Sequence, residues 1–154
     1  MPLDYERELI EITDGNIGEL HALIGESTRD GYNFLQRTID DWYGGANKFD
    51  RPGEKLWGLF LGKDLIGVGG LNIDPFSLTP KVGRVRHLYV RKAQRRAGCA
   101  TLIMNKILEE AGHNFTVLRL FTDNAGASAF YEKLGFKQTG EYKASHFITL
   151  SHHF

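Results

Sequence analysis

The sequence predicts an α/β (α+β) chain, with a mixed central sheet of about six to seven strands and about four helices. Three observations predict it. Strand and helix periodicities follow one another in the order β-α-α-β-β-β-α-β-α-β-β. Residues 83–121 read as strand, helix, strand, which calls for two parallel strands joined by a right-handed crossover. Residues 56–73 read as two apolar strands around a short glycine turn, an antiparallel hairpin.

Each element has its own cause. Residues 8–12 alternate polar and apolar and form a short strand. Asp14 or Asn16 then offers an N-cap, with Glu19 three residues beyond Asn16. Ile17, Leu20, His21 and Ile24 follow at helical spacing. Near residues 34–43 Leu35, Ile39 and Trp42 share a helix face, and Gly44-Gly45 ends it. Residues 56–61 (LWGLFL) are a strand, Gly62-Lys63-Asp64 a turn, and 65–73 the return strand. Gly67, Gly69 and Gly70 in that strand imply bending or the close approach of another group. After Asp74-Pro75, residues 76–80 are a loop. Residues 83–90 are the next strand, with Val85, His87 and Tyr89 on one face and Leu88 and Val90 on the other. From Ala100 the apolar stripe Ala100, Ile103, Met104, Ile107, Leu108, Ala111 is strongly helical, with Asn105, Lys106, Glu109 and Glu110 opposite and Gly112 as its stop. Residues 117–121 are a strand. Asp123 or Asn124 caps a short helix presenting Ala127, Phe130, Tyr131 and Leu134, stopped by Gly135. Residues 136–142 and 146–150 close the sheet.

Composition narrows the function. The 154 residues fit one domain, 1–154. Lys+Arg and Asp+Glu number 19 each, so the formal charge is zero, which argues against a dedicated nucleic-acid binder. A basic patch of Arg84, Arg86, Arg91, Arg95 and Arg96 acting on RNA lacks an aromatic stacking motif. One cysteine, Cys99, permits no internal disulfide and points to a reducing, cytoplasmic setting. The first residues show no basic-then-apolar leader, and no stretch approaches the roughly 18–20 apolar residues of a spanning helix. No membrane partner is expected.

The turn between residues 90 and 100 is the most informative segment. A tight loop entering a helix N-terminus aims several unpaired N–H groups at one point. The helix dipole adds roughly half a positive charge there, so a phosphate is the natural occupant. Gly98 lets main chain approach a ligand without a Cβ. Arg91, Lys92, Arg95 and Arg96 add positive charge at the mouth. A Walker loop is excluded for want of Gly-Lys-Ser/Thr, and a dinucleotide fingerprint for want of its further glycines and acidic partner. The competing reading is an ordinary strand–helix turn with a solvated basic face.

Arg95-Arg96-Ala97-Gly98-Cys99-Ala100 resembles the Arg/Gln-x-x-Gly-x-Gly/Ala signature of the GNAT superfamily of N-acetyltransferases. It follows a strand ending Leu88-Tyr89-Val90 and opens a long helix. Downstream, Asn124 with Phe130-Tyr131 and Gly135-Phe136 looks like that family's second signature. The two motifs together cover residues 83–136. The resemblance implies a GNAT-like fold with a splayed parallel strand pair at the cofactor site. It implies acetyl-CoA, or a related acyl-CoA, as co-substrate, and no metal. It assigns the strand residues Leu88, Tyr89 and Val90 to the pantetheine arm. The pyrophosphate falls to the loop at Arg95, Arg96, Ala97, Gly98, Cys99, Ala100 and Thr101, and Asn124 bonds the cofactor arm. A homodimer is a family-level expectation.

For the chemistry, the resemblance makes Tyr131 the acid assisting thiolate departure, against the plain alternative of a core tyrosine. A backbone N–H near Leu88 or Tyr89 supplies the oxyanion donor. The glutamate that many family members carry on the strand before the loop is missing from Arg84-Val85-Arg86-His87. His87 and His146 are therefore the candidate bases, each with a structural alternative, followed by Glu54, Asp74 or a water chain. Cys99 reads as a small loop residue rather than a nucleophile, and His152-His153 as solvated rather than metal-ligating. The acceptor is a primary amine on a small molecule or peptide, met by Tyr32, Phe34, Phe76 and Tyr142. The alternative function is a non-catalytic acyl-CoA-binding or regulatory module, motivated by the missing glutamate.

Overall fold

A computed structural model describes residues 6–150. His152 and His153 lie outside the described residues. The chain forms strands β1 (Arg7–Glu11), β2 (Lys55–Leu61), β3 (Asp64–Ile73), β4 (Val82–Val90), β5 (Val117–Leu120), β6 (Lys137–Gln138) and β7 (His146–Thr149). Helices are α1 (His21–Arg29), α2 (Phe34–Gly44), α3 (Cys99–Asn114) and α4 (Ala125–Lys133). The element order is the one expected. The strands make one seven-stranded sheet in the order β1-β2-β3-β4-β5-β7-β6. All neighbours are antiparallel except β4 and β5, the pair joined through α3.

Each face of the sheet carries a separate apolar core. On one, Trp57, Leu59, Ile66, Leu71, Val85 and Val90 meet Ile103, Met104 and Ile107 of α3 and Tyr131 and Phe136 from the α4 region. On the other, Leu56, Phe60, Leu65, Val68 and Tyr89 meet Leu20, just before α1, and Leu23, Leu35, Ile39 and Trp42 of α1 and α2. Full burial of Ile103, Met104 and Ile107 contributes roughly 1.5–3 kcal/mol for each side chain. The glycines of β3 permit that packing: a Cβ on Gly69 would lie 2.5 Å from Ile103 Cγ2. The close approach expected from these glycines is that of α3.

Several expectations need correction. His21 is exposed, and Leu23 and Ser27 take the buried face instead, because residues 17–20 form a 3-10 turn that shifts the phase of α1. Gly112 does not stop α3, which runs on to Asn114 and ends where Phe115 turns into the core. The strand expected over 136–142 shrinks to Lys137–Gln138. Val85, His87 and Tyr89 do not share a face, because β4 holds one residue too many. Val68 faces Tyr89, and Gly70 faces Arg86, so two β3 steps span three β4 steps. The extra residue is His87, whose φ is +62°. Such a bulge resets the alternation: Val85 packs in the α3 core and Tyr89 in the opposite one.

Candidate functional site

The parallel ladder between β4 and β5 is short. Val82, Gly83 and Arg84 pair with Val117, Leu118 and Arg119, and pairing then stops. Beyond Arg84 the bulged half of β4 diverges from β5, and Leu120 at the end of β5 keeps only its partner in β7, His146. A cleft of about 780 Å³ opens in the fork. Its walls include Val85 to Val90 of β4, Leu120 at the end of β5 with Phe121 to Asn124 beyond it, and Ala127 and Tyr131 of α4. Arg91 N–H donates to the Ile66 carbonyl at 2.9 Å, and antiparallel pairs alternate their direction. Tyr89 therefore turns its backbone groups to β3, while Leu88 and Val90 turn theirs to the open side.

The glycine turn lies at one end of this cleft, around a smaller cavity of about 220 Å³ lined by Arg95, Arg96, Gly98, Cys99, Ala100 and Thr101. Arg96 (φ +65°) and Gly98 (φ +82°) both adopt the left-handed region. The first helical bond of α3 runs from Leu102 N–H to the Gly98 carbonyl at 3.0 Å, so the N–H groups of Cys99, Ala100 and Thr101 precede the ladder. A Cβ on Gly98 would meet nothing within 4 Å; the left-handed backbone is what asks for glycine. These amides fit a phosphate. Arg7 of β1 ties the turn down, donating to the Ala97 carbonyl at 2.5 Å and reaching Cys99 Sγ at 3.4 Å.

The basic loop is less free than its charge suggests. Asp30, just after α1, pairs with Lys92 Nζ at 2.7 Å and with Arg95 at 3.1 Å. Glu26 accepts from Lys92 N–H at 3.0 Å. The Tyr89 hydroxyl sits 2.6 Å from Glu26 Oε2 and 3.0 Å from Asp30 Oδ2. Burial and these two carboxylates raise its pKa. Arg95 also donates from Nε to the Val90 carbonyl and lies 5.3 Å over the Tyr89 ring. Arg95 thus braces the strand–loop junction. Nothing in the sequence signalled Arg7, Glu26 or Asp30, since each acts across long separations.

Tyr131 is 7% exposed. It packs against Phe130 and Phe136, with ring centroids at 5.3 Å and 5.6 Å. Its hydroxyl bonds to no described residue, and the side chain lines the cleft. Burial pushes its pKa up, so it remains a proton donor across the neutral range. Asn124 also lines the cleft; its Oδ1 caps α4 by accepting from Ala127 N–H at 2.9 Å.

The two histidines differ. His87 lines the cleft, stacked on Phe34 of α2 at 5.6 Å and edge-on to Phe49 at 6.0 Å. Its pKa is pushed down to about 3, first by burial and then by Arg86 and Arg37. A neutral imidazole so reluctant to protonate is a poor base. His146 is not among the cleft-lining residues. Its Nε2 lies 3.1 Å from Glu132 Oε2 and its Nδ1 2.8 Å from Ser145 Oγ, so both nitrogens are occupied. Glu54 and Asp74 are also engaged, Glu54 by the Ile73 N–H and Asp74 by Arg84. Asp123 is the one carboxylate among the described residues of the cleft wall. No cluster of three metal-ligating side chains occurs among the described residues.

Comparison with known proteins agrees with this architecture. A crystal structure of an acetyltransferase from Exiguobacterium sp. 255-15 superposes with a TM-score of 0.83 at 23% identity, over 94% of this chain and 93% of that one. A GNAT-family acetyltransferase from Streptococcus pneumoniae gives 0.73 at 15% identity, over 95% of this chain and 100% of that one. These likenesses establish the fold. Human N-acetyltransferase 8 is 34% identical over 77 residues, 48% of this chain and 34% of that protein. The chain therefore spans about a third of the length of that curated relative. The sequence model described as the acetyltransferase (GNAT) family matches residues 18–136, a span holding the fork, the glycine turn and Tyr131, and the chain belongs to that family.

Proposed function

We propose that the protein is an N-acetyltransferase that moves an acetyl group from acetyl-CoA to a primary amine of a small molecule or peptide by direct transfer. The observation that carries this reading is the fork between β4 and β5, with unpaired helix amides at one end and the free Tyr131 hydroxyl in its wall. The N–H groups from Arg96 to Thr101 hold the pyrophosphate, and the open backbone groups of Leu88 with the Val90 N–H meet the pantetheine amides. The Leu88 N–H supplies the oxyanion contact, since Tyr89 turns its own toward β3. Tyr131 donates its proton, or a hydrogen bond, to the departing thiolate.

The amine must arrive neutral, and the wall offers no strong base to make it so. It offers a field instead. Arg86 and Arg37 act on His87, and Arg84 lines the same cleft. Positive neighbours disfavour an ammonium and lower its pKa. A proton lost this way leaves through water. The same weakness of His87 as a base is what favours the second reading, an acyl-CoA-binding module without turnover.

Incubation with acetyl-CoA and a broad amine library, scored by free CoA thiol, separates the two. Thiol release with an acetylated amine supports the transferase. Tight CoA binding by calorimetry with no turnover across the library supports the module. Failure of CoA to bind the folded protein removes both.

A further inference from the structure

The bulge at His87 does more than open the fork. By adding a residue it sends Arg86 and His87 toward the same helix, α2. His87 stacks on Phe34 of α2, and the charges that act most on Arg86 are Asp41 and Arg37, both on α2. Arg37 lines the same cleft, as does Arg84. Arg84 is spoken for: its Nη1 lies 3.5 Å from Asp74 and it also donates to the Lys143 carbonyl. Arg37 and Arg86 form no ion pair with any described carboxylate. Burial is the main penalty on the Arg86 charge; Asp41 offsets it first, then Asp74 and Glu54, yet none of these three carboxylates forms an ion pair with Arg86 or belongs to the cleft wall. The chain has zero formal charge overall, and this end of the cleft is lined by three guanidinium groups and no acid. Asp123, the wall's one described carboxylate, belongs to the α4 side, next to the capping residue Asn124.

A half-buried guanidinium with no close counter-ion is costly unless a ligand supplies one. Its fork of donors matches the paired oxygens of a carboxylate or phosphate. We infer that the acceptor amine carries an anionic oxygen group, a carboxylate or a phosphate, held by Arg37 and Arg86, with the ring of Phe34 beside it. The anion then anchors the acceptor on the α2 side of β4 and leaves its amine to approach Leu88 across His87.

This inference rests on the transferase reading, and its test separates the two. At saturating acetyl-CoA, kcat/KM is measured for matched pairs: phenylalanine against phenylalaninamide, and O-phosphoethanolamine against ethanolamine. The amide has the less basic amine, more often neutral, so it is a demanding competitor. The anionic member of at least one pair should be preferred about tenfold to a hundredfold, the range a charged hydrogen bond supports. The pair that shows the preference identifies carboxylate or phosphate. Arg86→Gln should collapse the preference ratio toward unity while the Kd for CoA stays within threefold. Arg37→Gln, on the exposed face of α2, gives the same readout should the first variant fold poorly. Thiol release that ignores or disfavours the anion overturns the inference and leaves the transferase standing. CoA binding without turnover on any amine overturns both.

Discussion

Arg95 donates from Nε to the carbonyl of Val90 at 2.9 Å, closing the end of β4 onto the loop that follows it. The same guanidinium reaches Asp30 at 3.1 Å, so the last strand residue, the glycine turn and the end of α1 meet in one side chain. Arg95→Lys keeps the charge and loses the fork. That variant should be destabilised by about 1 kcal/mol, one hydrogen bond's share. It should weaken CoA binding about fivefold to tenfold, because the turn loses its brace. Thermal melts and calorimetry check the two effects separately.

Tyr131→Phe removes a hydroxyl that bonds to no described residue, so the fold should be unaffected. Under the proposed function kcat should fall about a hundredfold, the lower range of acid catalysis, with the Kd for CoA changed less than threefold. Because burial raises the phenol pKa, wild-type kcat should show no alkaline decline from this group up to about pH 10, the ordinary phenol value. Undiminished activity in the variant would take Tyr131 out of the chemistry.

His87 should not titrate between pH 5 and 8 when its ring protons are followed by NMR, since its pKa lies at about 3 rather than 6.5. Between those two values the unfolded chain binds the proton and the folded one does not. Stability therefore rises with pH through that window and falls as acid is added. His87→Asn, which tolerates the φ of +62° better than most residues, should flatten part of that acid slope in the melting temperature.

His146→Ala should behave as a stability variant. The ring is 3% exposed and bonded at both nitrogens, so removal should cost about 2–4 kcal/mol. Turnover per folded molecule should stay within threefold. The partner Glu132 has its pKa held down to about 2 by the Ser128 hydroxyl first, then His146 and Gln138. The stability this lends is present above pH 4.5 and is lost as pH falls toward 2. Glu132→Gln should remove that portion of the acid transition.

Gly98→Ala separates support of the fold from ligand binding. No atom opposes a methyl there in the free protein, so the backbone strain at φ +82° should cost only about 1 kcal/mol. Under the proposed function the added carbon would stand where the main chain meets a phosphate, so the Kd for CoA should rise more than tenfold by calorimetry. A variant that binds CoA normally would mean that the turn holds no phosphate.

The element order, the hairpin, the crossover and the glycine turn were legible because each is written in residues close along the chain. The apolar stripe of α3 and the φ-positive stops at Gly45 and Gly135 are local signals of this kind. The side-chain facing of β4 was not legible. One inserted residue changes which face every later side chain takes, and His87 carries no mark that distinguishes it from a regular strand residue. His146 as a candidate base rested on its strand position; its partners Ser128, Glu132 and Ser145 come together only when α4 packs against β7. The Glu26–Asp30 clamp was hidden for the same reason. Local periodicity places acids on the end of α1 but is silent on the loop some 60 residues later that they hold.

Arg7 sits on an outermost strand of the sheet and yet grips the Ala97 carbonyl, 90 positions further along the chain. The glycine turn is therefore finished only when the edge strand has docked. During folding, β2 and β3 can pair and α3 can settle on β3 while the turn still lacks its outer tether. Under the proposed function, affinity for CoA thus becomes a late reporter of assembly, and removing the chain through Arg7 would loosen a turn that lies far from the cut.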